Sequence, residues 1–261
     1  MNKCNRNRRR ELGYFLLFIG MSLAGVSVFV LIPFADVIRR SFMTVMSGEF
    51  AGLDNYRTVI GNQAFRLAVG NTLHFVGVAI PLLVVISLAA ALVLSRIRDI
   101  RVIKSLYLFP MALPTATVVI VWRMFFYRQD FDSLVVSYLW KNTGYTIVLW
   151  LAGIAAIPNE LVEAARVDGA NGLQCLLFVK LPCLKGSVYT IVILSFLNSM
   201  KIYREAYLVG GSYPGRDIYL LQHTFNNWYV NLEFDKMAAA SVMVAGVLFV
   251  FILLFQHYSQ R

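Results

Sequence analysis

Charged side chains are scarce in this sequence. Asp, Glu, Lys and Arg make up 15% of its 261 residues, whereas a soluble domain carries roughly 25%. Hydrophobic residues reach 59%, and the mean hydropathy is +0.66. So much apolar surface excludes a single water-soluble core and points to a membrane protein. Acidic residues are the scarcer sign, 14 Asp and Glu against 24 Lys and Arg, giving a net charge of +10. Nucleic acid binding is not the reading of that excess, because the basic residues flank apolar runs as they do at cytoplasmic ends of spans. Cysteine is nearly absent. Cys4, Cys175 and Cys183 form no pairing pattern, so reduced thiols without a metal role are expected. His74, His223 and His257 have no partner at ligand spacing, and local hydrogen bonding is the expected use of each. No Gly-x-x-x-x-Gly-Lys-Ser/Thr phosphate loop occurs. Nor is there a carboxylate pair, a His cluster or a nucleophile with its base. The chain is therefore not expected to be an enzyme, with no catalytic residues and no metal site.

Long apolar runs are what the sequence has. Six read as spans of about 20 residues, at 14–34, 72–94, 105–127, 134–157, 186–202 and 237–258. The expected fold is an all-α integral membrane protein with six transmembrane helices. Residues 1–13 form a short polar tail, and 14–261 form one domain. The first run is too long for a signal-peptide core and no small-residue cleavage site follows, so it is kept as a span. Lys3, Arg6 and Arg8 to Arg10 precede it, and Arg96, Arg98, Arg101 and Lys104 lie between the second and third runs. This basic bias places both termini, and the segment between spans four and five, in the cytoplasm.

That cytoplasmic segment contains EAARVDGANGLQCLLFVKLP, residues 163–182. Pro158-Asn159-Glu160 reads as a helix start with Asn159 as cap. Asp168-Gly169 breaks the helix, with Gly169 supplying a positive φ. A second short helix, LQCLLFVK, follows, and Pro182 is expected to turn the chain back to the membrane. Two helices around a glycine elbow exceed what a span connector requires, so the segment reads as a docking knob.

The segment resembles the EAA loop of permease subunits in binding-protein-dependent ABC importers. Glu163-Ala164-Ala165, Asp168-Gly169-Ala170 and Leu181-Pro182 match its spacing, and Val179 replaces the family's Ile. GLDNYRTVI after the first run, LFPMALPTATVVIVWRMFF and VGGSYPG are similar to stretches of the carbohydrate-type branch, in particular its MalF-like half. Ser212 and Tyr213 depart from the Gly-Gly-Gly-Pro form of the last stretch.

The resemblance implies a bacterial inner-membrane permease with a coupling-helix loop between helices 4 and 5. It implies a heterodimer with a second permease, two ATPase subunits that bind ATP and Mg, and an extracytoplasmic solute-binding protein. This chain itself would carry no cofactor. Glu163, Ala164, Ala165, Asp168, Gly169, Leu181 and Pro182 would couple to the ATPase. The solute would be a sugar, an oligosaccharide or glycerol phosphate.

The solute path is sought among polar residues of the spans, because these need a cavity or a partner. Ser195, Asn198, Ser199 and Ile202 share one helical face, as do Tyr138, Lys141, Asn142 and Tyr145. Tyr145, Ser195 and Ser199 also match lining positions of the MalF-like half. Aromatic, amide and hydroxyl groups suit a sugar; helix–helix hydrogen bonding is the other use of such groups. Arg123 and Lys141 have two readings, contact with an anionic substrate such as a sugar phosphate or snorkelling toward the outer interface, and snorkelling is the one expected. The alternative class is a secondary transporter or channel not coupled to ATP. It would carry intramembrane carboxylates or related repeats, and no Asp or Glu lies centrally in the six runs.

Overall fold

The computed structural model describes residues 15, 19–44, 48–97, 101–126 and 130–260. The expected tail 1–13, Tyr14, Cys4, Arg98 and the end of the third run at 127 lie outside the described residues. Among the described residues the regular structure is helical, apart from one isolated bridge, Met43 to Phe50. In chain order the helices are α1 (Ile19–Ser41), α2 (Asp54–Gly61), α3 (Gln63–Leu94), α4 (Arg101–Ala112) and α5 (Thr115–Phe125). There follow α6 (Phe131–Ala155), α7 (Asn159–Val167), α8 (Gly172–Cys183) and α9 (Lys185–Gly210), α10 (Leu221–Val230) and α11 (Phe234–Gln260). Among the described residues three helices are long and apolar enough to cross a membrane, or up to six if each of three bent pairs counts as one span. The apolar runs thus reappear as helices with shifted ends.

The third run differs most from its expectation. It is not one rod but α4 and α5, bent by 103° at their junction. Pro114 is the cause, whereas Pro110 sits inside α4 without ending it. Proline disfavours helical backbone in the residue before it, and Pro114 itself is extended, with ψ 136. The fifth run is longer than expected. A 3₁₀ turn at Met200–Ile202 carries α9 on to Gly210 instead of ending it at Ile202. The fourth begins slightly early because Asp130 and Ser133 form a capping box.

The chain divides into two compact units, 1–62 with 228–247 and 63–227 with 248–261. In the first, the GLDNY stretch fixes the exit of α1. Asn55 Nδ2 donates to the carbonyls of Ser41 and Met43 at 3.0 Å, and the Tyr56 hydroxyl lies 2.7 Å from Ser41 Oγ. Gly52 supplies the positive φ, 57°, of the turn between them.

In the second unit α6 packs against α3, α4 and α9. Two apolar clusters line this helix. Phe75, Leu83, Tyr138 and Ile202 belong to one; Leu94, Ile147, Trp150, Leu184 and Ile191 belong to the other. Two buried polar side chains bridge helices inside this unit. The Tyr138 hydroxyl donates to the Ser195 carbonyl at 2.6 Å, and Trp150 Nε1 donates to Ser87 Oγ at 3.1 Å. Gly144 is where α4 comes closest, since a Cβ there would overlap the backbone carbonyl of Tyr107.

Gly144→Val is expected to lower stability by about 1–3 kcal/mol through overpacking, with α4 displaced. Gly77→Ala, which meets nothing within 4 Å, should be neutral or stabilising. Thermal unfolding in detergent compares the two, and equal effects would remove the close-approach argument.

His223 is fully buried and accepts the Leu220 N–H at Nδ1, 3.0 Å. It lies on α10, outside the candidate spans. Burial pushes its pKa down to about 4 from 6.5. Above pH 6.5 both folded and unfolded chains hold a neutral imidazole. Between 6.5 and about 4 only the unfolded chain takes up the proton, so stability falls as the pH drops, by up to about 1.4 kcal/mol per pH unit. His223→Asn should be less stable at neutral pH and lose this slope in pH-dependent unfolding.

Candidate functional site: an exposed knob and a charged cleft

The knob is built by local chemistry. Pro158, extended at ψ 132, is the N-cap of α7 and makes no side-chain cap. Asn159 is therefore the first helical residue and does not cap, contrary to the sequence reading. A proline at that position leaves the helix entry fixed without a capping side chain. Glu160 lies in the first turn, where the helix dipole favours it. At the other end Ala170 N–H bonds Ala165 O at 2.9 Å and Gly169 N–H bonds Arg166 O at 3.0 Å. This pair of bonds is a Schellman closure, and Gly169 adopts φ +87, the conformation expected of the elbow.

Asn171 and Gln174 then start α8 with a reciprocal capping box, at 2.9 and 2.8 Å. Its Asn-x-x-Gln spacing was the signal for it. Pro182 does not turn the chain. The helix widens to π geometry over Cys175–Lys180 and passes through Pro182 to Cys183. The 65° bend comes after, where α9 begins. Pro182 sits in the first turn of the segment that follows the π stretch, where a missing N–H costs least.

Both ends of the knob are pinned. Leu184 is wholly buried beside Trp150, and Ile154, Ile157 and Leu181 pack on the same cluster. Between these anchors Cys175 is buried and many other side chains face outward. No α7 residue is buried. Glu163, Ala164, Asp168 and Gly169 are exposed and Ala165 is half-buried. Val167 is 88% exposed and Phe178 75%. A pinned knob that presents apolar side chains and three carboxylates is shaped to be held by another surface.

The second feature is a cleft of about 330 Å³. It lies where the α4–α5 break, α6 and α9 meet, and it receives Leu113, Thr115, Lys141, Asn142, Asn198 and Glu205 among its lining. Of the expected path residues, Tyr138, Asn142, Asn198 and Ile202 line it, while Tyr145, Ser195 and Ser199 do not. Ser195 and Ser199 are buried, and the Ser199 hydroxyl donates to its own helix at Phe196 O, 2.6 Å. Asn142 Nδ2 donates to Tyr138 O at 2.9 Å.

Lys141 does not snorkel. Its Nζ lies 2.7 Å from Glu205 Oε1, and the two side chains are 19% and 6% exposed. It also donates to Thr115 Oγ1 at 3.1 Å. Two buried charges are tolerable here because each compensates the other and the donors are shared. Glu205 is the carboxylate partner of Lys141 that the sequence reading did not find. Ending the fifth run at Ile202 put it in a loop. A lysine within an apolar helix was the signal that a carboxylate partner had to exist. Arg123 is exposed, as expected, but its guanidinium also donates to the carbonyls of Leu208 and Val209, both at 2.9 Å. It thereby caps the C-terminal end of α9.

Comparison with known proteins follows the same lines. The chain is 25% identical to the trehalose/maltose transport system permease protein MalF of Thermococcus litoralis, over 90% of this chain and 89% of that protein. It is 30% identical to the arabinooligosaccharides transport system permease protein AraP of Bacillus subtilis strain 168, over 74% and 71%. Among solved structures, a chain of a bacterial ABC transporter that imports the acidic polysaccharide alginate superposes with a TM-score of 0.80 at 16% identity, covering 100% of this chain and 99% of that one. Residues 83–261 match the family model of the binding-protein-dependent transport system inner membrane component. The chain belongs to that family of membrane permease subunits, and is a transport protein and not an enzyme.

Proposed function

We propose that this chain is one half of the membrane path of an ATP-driven sugar importer. Its partners are a second, different permease, two ATPase subunits that bind ATP and Mg, and an extracytoplasmic binding protein. The structure of a bacterial alginate ABC transporter in complex with an alginate pentasaccharide-bound periplasmic protein matches with a TM-score of 0.77 at 18% identity. The relatives named for trehalose/maltose and arabinooligosaccharides favour a sugar or oligosaccharide over glycerol phosphate. Both termini and the knob face the cytoplasm in this reading, which rests on the basic residues beside the apolar runs.

The pinned knob carries the proposal. Glu163, Asp168 and the Gly169 elbow meet the ATPase, and the small Ala164 and Ala165 allow close approach. Leu181 and Pro182 tie the knob to α9. Closure of the ATPases then moves α7 and α8 as a body, and their anchors pass the movement to α6 and α9. The solute is met at the cleft, where Tyr138, Asn142, Asn198 and Ile202 offer an aromatic face, two amides and an apolar wall. Tyr145, Ser195 and Ser199 shape the path from behind.

Gly169→Val places a β-branched residue at φ +87, which such residues avoid. Glu163→Lys reverses a docking charge. Each is expected to reduce uptake at least tenfold in the reconstituted complex while the spans stay folded. Wild-type uptake by both would sink the docking role. Native mass spectrometry of the complex from its own membrane should find the second permease and two ATPases, and a transport-competent assembly without an ATPase would refute the partner set.

Path substitutions should behave differently from docking ones. Asn142→Leu and Asn198→Leu each remove a cleft amide, at about 0.5–1.5 kcal/mol, or up to about tenfold in solute affinity. Uptake should fall while resting ATP hydrolysis stays near wild type. Ser195→Leu and Ser199→Leu enlarge buried side chains and should reduce assembled complex first. Uptake normalised to assembled complex separates these outcomes. Unchanged transport in the two Asn variants would place the path elsewhere.

A further inference from the structure

The cleft carries more positive charge than it neutralises. Lys141, Lys201, Arg204 and Glu205 line it. Glu205 is committed to Lys141 at 2.7 Å. Lys201 and Arg204 are both exposed. Among the described residues neither has a carboxylate within ion-pair distance. Lys201 Nζ gives one hydrogen bond, to Asn198 Oδ1 at 2.9 Å, and keeps further N–H donors for another acceptor. Lys201 and Arg204 are three residues apart, at the 3₁₀ turn and the start of the helix after it. They therefore project to neighbouring points of one face.

Two exposed cations at one cleft wall, with no carboxylate paired to either, raise the local concentration of anions there. Glu205 does not relieve them, because its charge is already matched by Lys141. The half-buried amide of Asn198 adds a neutral polar group to the same wall. The volume, about 330 Å³, falls in the range of small-molecule sites, roughly 300–1,000 Å³.

We infer that the cleft recognises a saccharide bearing an anionic group, carboxylate or phosphate, with Lys201 and Arg204 holding that group. Lys141 and Glu205 act as a positioning pair that fixes α5, α6 and α9 around it. A guanidinium takes two oxygens of a carboxylate or phosphate at once, and the lysine supplies a point charge beside it. The inference rests on the permease reading above and narrows its solute class from sugars in general to acidic ones.

The test reads binding directly and needs neither uptake nor ATP hydrolysis. The membrane complex, purified into nanodiscs without its soluble binding protein, is titrated with trigalacturonate, maltose 1-phosphate or maltotriose at constant ionic strength. Thermal stabilisation is the readout. One or both anionic probes should stabilise the complex, and maltotriose at the same concentrations should not. Trigalacturonate alone assigns the group as a carboxylate; maltose 1-phosphate alone assigns it as a phosphate. Arg204→Gln and Lys201→Gln, both at exposed positions, should weaken the anionic response at least tenfold each, as loss of a charge-assisted hydrogen bond requires. Equal response to maltotriose, no response to either anion, or an anionic response that survives both substitutions overturns the inference. The last result would place the anion on another surface. The second means that the two cations serve something else, such as an acidic side chain of the second permease. A complex that lacks ATPase subunits would remove the importer reading instead, and leaves this readout intact.

Discussion

Lipid offers no hydrogen bonds, so each polar group at membrane depth must be satisfied by protein or by a cavity. That constraint organises helix α6. Its 25 residues span about 37 Å at the helical rise. In its first half Tyr138 gives its hydroxyl to α9, and Lys141 gives its charge to Glu205. Further along, Thr146 returns its hydroxyl to the Asn142 carbonyl at 2.9 Å, and the partner helix α3 takes the Trp150 indole through Ser87. The cleft and the knob anchor therefore sit on one rod, the first near its middle and the second near its C-terminal end. Tyr138, Lys141 and Asn142 stand at the first; Trp150, Leu151 and Ile154 stand at the second. A rod of close-packed side chains moves as a unit, which is the mechanical basis for reading the knob as a lever on the cleft.

Much of this was legible in the sequence, and the reasons are specific. Apolar length marks membrane-crossing helices because the bilayer sets it. The Gly169 elbow was legible because only glycine adopts that φ cheaply at a helix end. What failed were judgements about where a helix stops. Pro114 breaks a run that hydropathy draws as continuous. Pro182 looks like a stop, yet helix passes through it. Met200–Ile202 reads as the end of a span, yet tightens to 3₁₀ and goes on. Hydropathy averages over such local events, and proline breaks or tolerates a helix according to which residue's hydrogen bond it removes. The cleft was illegible for a related reason. Its lining comes from three separate stretches, near residues 111–115, 138–142 and 198–205. Only the tertiary fold brings them together, and one of the three was hidden by a span drawn too short.

The Lys141–Glu205 pair bears on what kind of cleft this is. A buried ion pair is poor evidence for stability, because apolar residues of similar volume commonly hold a fold as well or better. Nor is the pair placed in the apolar clusters, where Phe75 and Trp150 pack without charge. It sits at the wall of a cavity, 19% and 6% exposed, where water or a solute reaches one side. A pair in that position costs less to desolvate than one in the core, and it leaves the two exposed cations beside it free of competition from Glu205. Remove the carboxylate and Lys141 becomes a third cation at the wall; remove the lysine and Glu205 turns on Lys201 and Arg204. The pair thus sets the charge the cleft presents, and does so through side chains from different helices, so the charge depends on α5, α6 and α9 keeping their places. A movement that separates α6 from α9 would change the electrostatics of the cleft in the same step as its shape.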